Sequence, residues 1–117
     1  MNLTYVVKEI NLKLVTPTLQ PLGEREVAGG YVSDMLSDVL ANAPTGGVWV
    51  TTQVHLNVVA VAMHANLSAV IFASGREPKE AVIARAVQEE IPLYVSNETA
   101  FDIVGRLYQL GLRGRNA

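Results

Sequence analysis

The residues with most chemical promise stand in a row: Ser74-Gly75-Arg76-Glu77-Pro78. Gly75 permits close backbone approach, and a guanidinium at Arg76 can grip a phosphate or carboxylate through two parallel N–H bonds. Pro78 suits the first position of a helix, whose free amides would face the same ligand. The plain alternative is a strand-to-helix turn in which Arg76 pairs on the surface with Glu77 or Glu80. His55, flanked by Gln53 and Asn57, reads equally as the polar start of a helix or as a ligand contact. The second histidine, His64, reads as a surface residue near a helix end. Nine positions at ~100° per residue put the two imidazoles on roughly opposite faces of one helix, so they do not chelate one ion. Asn97-Glu98-Thr99 is chiefly a helix cap whose amide and hydroxyl face the same edge, and Gly29-Gly30 reads as a bulge or tight backbone crossing before an anion nest.

Catalysis finds little support. Ser33, Asp34 and His55 supply the residue types of a hydrolase triad, but the sequence has no nucleophile elbow to present the serine. Nothing has the G-x-x-x-x-G-K-[ST] spacing whose amides cradle phosphates, which argues against a kinase. With no cysteine and two separated histidines, neither a metal nor a cofactor is implied. A net charge of −2, with Arg106, Arg113 and Arg115 thinly spread near the end, is a poor match to a nucleic-acid backbone. The first residues lack a basic segment followed by an apolar run, and no apolar stretch reaches membrane-spanning length. The expectation is a cytoplasmic protein that does not engage a membrane.

These residues need a scaffold, and 117 residues that are 50% hydrophobic suffice for one domain with one core. Leu3, Val6, Val7 and Ile10 share a helical face; Leu12, Leu14 and Thr16 alternate as a strand up to Pro17, and Thr18 to Glu24 has turn chemistry. After an extended, glycine-interrupted segment from Val27 to Tyr31, Ser33-Asp34 is placed to cap a helix carrying Met35, Leu36, Val39 and Leu40. Three strand–helix units follow. Strands at Val48–Thr51, Ala69–Ala73 and Leu93–Val95 alternate with a helix from about His55 that is apolar nearly all round, a helix from Pro78 and a last helix capped by Ser96 or Asn97 and stopped by Gly111. Short joins between such units predict a single α/β domain with a mainly parallel sheet flanked by helices, and ligands of such sheets bind beyond the carboxyl ends of the strands. That rule selects Thr51 to Asn57, Ala73 to Pro78 and Val95 to Thr99. The last helix is apolar on two sides, Phe101, Val104 and Tyr108 on one and Ile103, Leu107 and Leu110 on the other, which predicts a homodimer.

The runs Val27-Ala28-Gly29-Gly30-Tyr31-Val32-Ser33-Asp34-Met35-Leu36-Ser37-Asp38-Val39, Trp49-Val50-Thr51-Thr52-Gln53-Val54-His55-Leu56-Asn57 and Ser74-Gly75-Arg76-Glu77-Pro78 resemble the stand-alone DRTGG-domain proteins. The likeness runs from about Val27 to Leu110. It divides the chain into an N-terminal helix–strand extension over 1–25, a DRTGG-like core over 26–111 and a flexible tail over 112–117. Similar modules occur fused to phosphate acetyltransferase, between CBS domains of pyrophosphatases and at the N-terminus of HPr kinase/phosphorylase. Fused members carry an Asp-Arg pair and a Thr-Gly-Gly where this chain has Gln53-Val54-His55 and Ser74-Gly75-Arg76, so only Gly75 is kept. The resemblance implies a non-catalytic regulatory domain that self-associates and binds an adenine nucleotide or other small anion. By the strand-end rule the site of such a ligand would comprise Gln53, His55, Asn57, Ser74, Gly75, Arg76, Glu77, Asn97 and Thr99. The alternative is an assembly module that docks onto a partner enzyme without a small-molecule ligand.

Overall fold

Val48–Thr51 (β3) and Ala69–Phe72 (β4) are unbroken runs of four buried residues, the pattern of strands covered on both faces. In the computed structural model, which describes residues 1–114, they form the centre of a five-stranded sheet. Gly30–Val32 (β2) flanks β3 and Leu93–Val95 (β5) flanks β4, all four parallel. Lys13–Leu14 (β1) closes the far edge antiparallel to β5, giving the order β1-β5-β4-β3-β2. The mainly parallel α/β sheet expected from the sequence is therefore present, and its three core strands begin where expected.

Among the described residues, five α-helices cover the sheet. Alternating residues of the central strands divide between two cores, Val48, Val50, Ala69, Ile71 and Tyr94 in one and Trp49, Val70, Phe72, Leu93 and Val95 in the other. Leu3–Glu9 (α1) and Ala100–Gln109 (α5) cover the first with Leu3, Val6, Ile103 and Leu107. Leu36–Asn42 (α2), Leu56–His64 (α3) and Glu80–Gln88 (α4) cover the second with Val39, Val58, Val59, Ala62, Val82 and Ala86. Helix α3 packs against both α2 and α4, which explains why it is apolar nearly all round. Among the described residues no helix is long and apolar enough to cross a membrane.

Several local expectations are corrected. The strand over Leu12 to Thr16 shrinks to two paired residues, although the buried Thr16 hydroxyl accepts the Leu93 N–H at 3.1 Å and continues the join. Pro17–Glu24 forms a 3-10 helix with a proline at its start, not an irregular turn. Ser33 and Asp34 do not cap α2: Met35 holds that position without a side-chain bond, and Met35 and Leu40 are exposed. Helix α4 begins two residues after Pro78, which is itself buried. Neither Ser96 nor Asn97 caps α5; Thr99 does, its Oγ1 accepting from the Asp102 N–H at 3.4 Å.

The glycine pair is a backbone crossing. A Cβ on Gly29 would lie 2.6 Å from the Arg113 carbonyl oxygen, and the Gly30 N–H donates to that oxygen at 3.0 Å. The chain from Leu112 to Gly114 thus lies along the outer edge of β2, with Leu112 buried and the Arg113 guanidinium 3.6 Å over the Tyr108 ring. Of the tail expected from 112 onward, Arg115 to Ala117 lie outside the described residues.

Candidate functional site at the carboxyl ends of the strands

The parallel strands β2 to β5 follow one another in space, so α2, α3 and α4 all return on the same face. After β5 the chain turns the other way and α5 packs on the opposite face. The loops leaving β4 and β5 therefore diverge, which makes the β4/β5 boundary the place where a doubly covered sheet opens a crevice.

At its inner end the crevice is sewn shut. The Ser74 N–H donates to the Glu98 carbonyl at 2.7 Å, the Gly75 N–H to the Ser96 carbonyl at 2.8 Å and the Arg76 N–H to the Ala73 carbonyl at 3.2 Å. Ser74 and Gly75 adopt φ of +59° and +67°, and a Cβ on Gly75 would sit 3.0 Å from Asn97 Oδ1. Gly75 thus serves close approach between two loops of the protein, and the three amides expected to meet an anion are already bonded to carbonyls.

Outward from this seam lies a cavity of about 490 Å³ lined by Glu77, Ser96, Asn97 and Glu98 together with Glu9 to Lys13 and Arg106. Lys13 Nζ stands 3.5 Å from Glu77 Oε2, and Arg106 Nε donates to Glu98 Oε1 at 2.9 Å. Glu77 and Asn97 were expected here; Lys13 and Arg106 were not. Lys13 reaches the rim only because β1 pairs with β5, a contact across 82 positions that no local pattern announces, and Arg106 reads as one more charge on an amphipathic helix.

The other predicted residues lie along the same rim. Gln53 is half-buried, its N–H bonded to Thr51 Oγ1 at 3.1 Å. His55 caps α3 without a side-chain hydrogen bond, and Asn57 is exposed in that helix's first turn. Arg76 and Thr99 are exposed. Glu77 turns to Lys13, and among the described residues no carboxylate lies within 4.0 Å of the Arg76 guanidinium, so the surface pair with Glu77 or Glu80 of the plain alternative does not form.

Sequence reasoning misassigned one further residue. Asp34, at the end of β2, accepts from the Thr51 hydroxyl at 2.8 Å and from the Thr52 N–H and hydroxyl at 2.8 and 2.7 Å. Partial burial, the largest single influence, works to raise its pKa. The Thr52 and Thr51 hydrogen bonds, with the charge of Arg76, outweigh it and hold the carboxyl below the usual 3.8. A serine–aspartate–histidine relay has no basis here, because Asp34 is committed to the threonines and the Ser33 hydroxyl accepts from the Met35 N–H at 3.1 Å.

These features define a three-layer α/β domain with a polar rim at its topological break. Among solved structures it shares its fold with the crystal structure of the CBS and DRTGG domains of the regulatory region of Clostridium perfringens pyrophosphatase complexed with activator, diadenosine tetraphosphate. The TM-score is 0.67 at 12% identity, over 92% of this chain and 46% of that one. The likeness is one of fold, and this chain spans just under half of that structure's length. No family model matches the sequence, and no curated protein matches it.

Proposed function

We propose that this chain is a non-catalytic, ligand-sensing domain of the DRTGG kind that binds a small anion, with an adenine nucleotide first among the candidates, on the rim beyond β3, β4 and β5. One observation carries the reading: the cavity beyond the carboxyl end of β5, on the side of β1, brings Lys13 and Arg106, paired with Glu77 and Glu98, together with the polar groups of Ser96 and Asn97. Arg106 meets Glu98 through Nε, which leaves the outer nitrogens of its guanidinium for a phosphate. Its volume falls within the roughly 300–1,000 Å³ of small-molecule sites. Arg76, whose charge also acts on Asp34, adds a cation over Ser74 to Glu77, with Gln53, His55 and Asn57 on one side and Thr99 on the other. The fold-sharing pyrophosphatase region, solved with diadenosine tetraphosphate, makes adenine nucleotides the first ligands to test.

Thermal unfolding with AMP, ATP, diadenosine tetraphosphate and a non-nucleotide anion tests the proposal. A ligand at 100 times its Kd adds about 2.7 kcal/mol of stability. Replacing Arg106 or Arg76 by alanine should weaken binding roughly ten- to a hundredfold, the loss of one charge-assisted hydrogen bond. A flat response to every ligand would refute a sensing role.

A second reading, a module that docks onto a partner enzyme, is favoured by the exposed apolar side chains of α5, Phe101 above all. It predicts no response to small molecules. In both readings the domain works as a homodimer in the cytoplasm.

A further inference from the structure

The outer face of α5 holds an apolar surface with a glycine in its middle. Phe101 is 87% exposed and Tyr108 58%, and with Val32, Ala100 and Val104 they surround Gly105. A Cβ on Gly105 would meet nothing within 4 Å, so no contact inside the chain requires a glycine at this position. A glycine inside a helix weakens it, and its usual compensation is that another backbone or ring can come close. Beside this surface a hollow of about 300 Å³ opens between α5 and β2, lined by Val32, Val50, Val104, Leu107 and Leu112. A projecting ring and an apolar hollow on one face make that face complementary to itself, the requirement for a two-fold interface.

We infer that α5 packs antiparallel against α5 of a second copy of this chain, with Gly105 near the two-fold axis and Phe101 of each copy against Tyr108 and the hollow of the other. The charges agree with this orientation. Asp102 lies in the first turn of α5 and Arg113 just beyond its last, so the antiparallel arrangement sets each carboxylate and helix start against the partner's Arg113 and helix end. Phe101, almost wholly exposed in the single chain, has most of the roughly 150–250 Å² of an aromatic side chain to bury. The exposed Asp102, Gln109 and Arg113 flank the apolar centre and supply its polar rim. The inference takes from the preceding reading only the homodimer, not the ligand.

Sedimentation velocity of the full chain and of Phe101→Ser and Gly105→Gln tests it. The wild type should sediment at twice 12.6 kDa, and each variant should raise the dimer Kd at least about tenfold. Gly105→Gln replaces glycine with a better helix former in open space, so its thermal midpoint measured where both proteins are monomeric should not fall. A wild-type monomer at tens of micromolar, roughly the range where ordinary dimers persist, would overturn the homodimer and this interface with it. A dimer whose Kd neither variant alters would overturn the interface and leave the homodimer standing.

Discussion

Asp34 is the residue whose chemistry differs most from its local sequence. A Ser-Asp pair ahead of an apolar helix has the signature of a cap, yet the carboxylate gathers three donors from Thr51 and Thr52 and so ties the end of β2 to the end of β3. No periodicity could show this, because the partners are 17 and 18 positions away on a neighbouring strand. Its depressed pKa has a consequence for acid stability. The folded value lies below the unfolded one, so the contribution is fully present above about pH 4 and is lost as pH falls through the folded value. Asp34→Asn should cost about 1 kcal/mol in urea unfolding at pH 7, and the gap to wild type should close as the pH is lowered below about 4. A gap that stays constant down to pH 3, about one unit below the ordinary carboxylate value, would show that the charge is not what matters.

Among the elements, strands β3, β4 and β5 were legible because each is a short apolar run bounded by turn residues, and α3 because only a helix covered on several sides can be apolar all round. Edges and caps were not. Strand β1 depends on its pairing with β5 rather than on alternation, and the buried Thr16 hydroxyl that extends this pairing to the Leu93 N–H looks like any other polar residue before a proline. Thr16→Val keeps the shape and strands that amide, so it should cost about 1–3 kcal/mol, while Thr18→Val on the exposed side of the following 3-10 helix should cost almost nothing; equal effects in urea unfolding would refute the distinction. Gly29 makes the same point for close approach. The sequence suggests a crossing without naming the crossing chain, which is the carbonyl of Arg113, 84 positions on. Gly29→Ala should lift the Leu112–Gly114 segment from β2 and destabilise the fold by about 1–3 kcal/mol, the range for overpacking a fitted site. Unchanged stability in denaturant would mean that this contact is easily relaxed.

For the whole molecule, the sequence located the rim but not its concave part. The order of strand–helix units was enough to select the carboxyl ends of β3, β4 and β5, whereas the cavity required knowing that α5 crosses to the other face and that β1 brings Lys13 to β5. The amides of Ser74 to Arg76 are bonded within the protein, so an anion bound as proposed would be met by side chains, Arg106 and Lys13 in the cavity and Arg76 beside it. The most direct measurement is a nuclear magnetic resonance titration of the ¹⁵N-labelled chain with AMP, ATP and diadenosine tetraphosphate. Binding in the cavity should give saturable shifts concentrated at the amides of Lys13, Glu77, Asn97, Glu98 and the Arg106 side chain, fading toward the opposite end of the sheet around Ser68 and Ile91, with an apparent affinity reduced at least about tenfold by Arg106→Ala. Shifts centred elsewhere, or a spectrum that none of the three nucleotides changes, would contradict it.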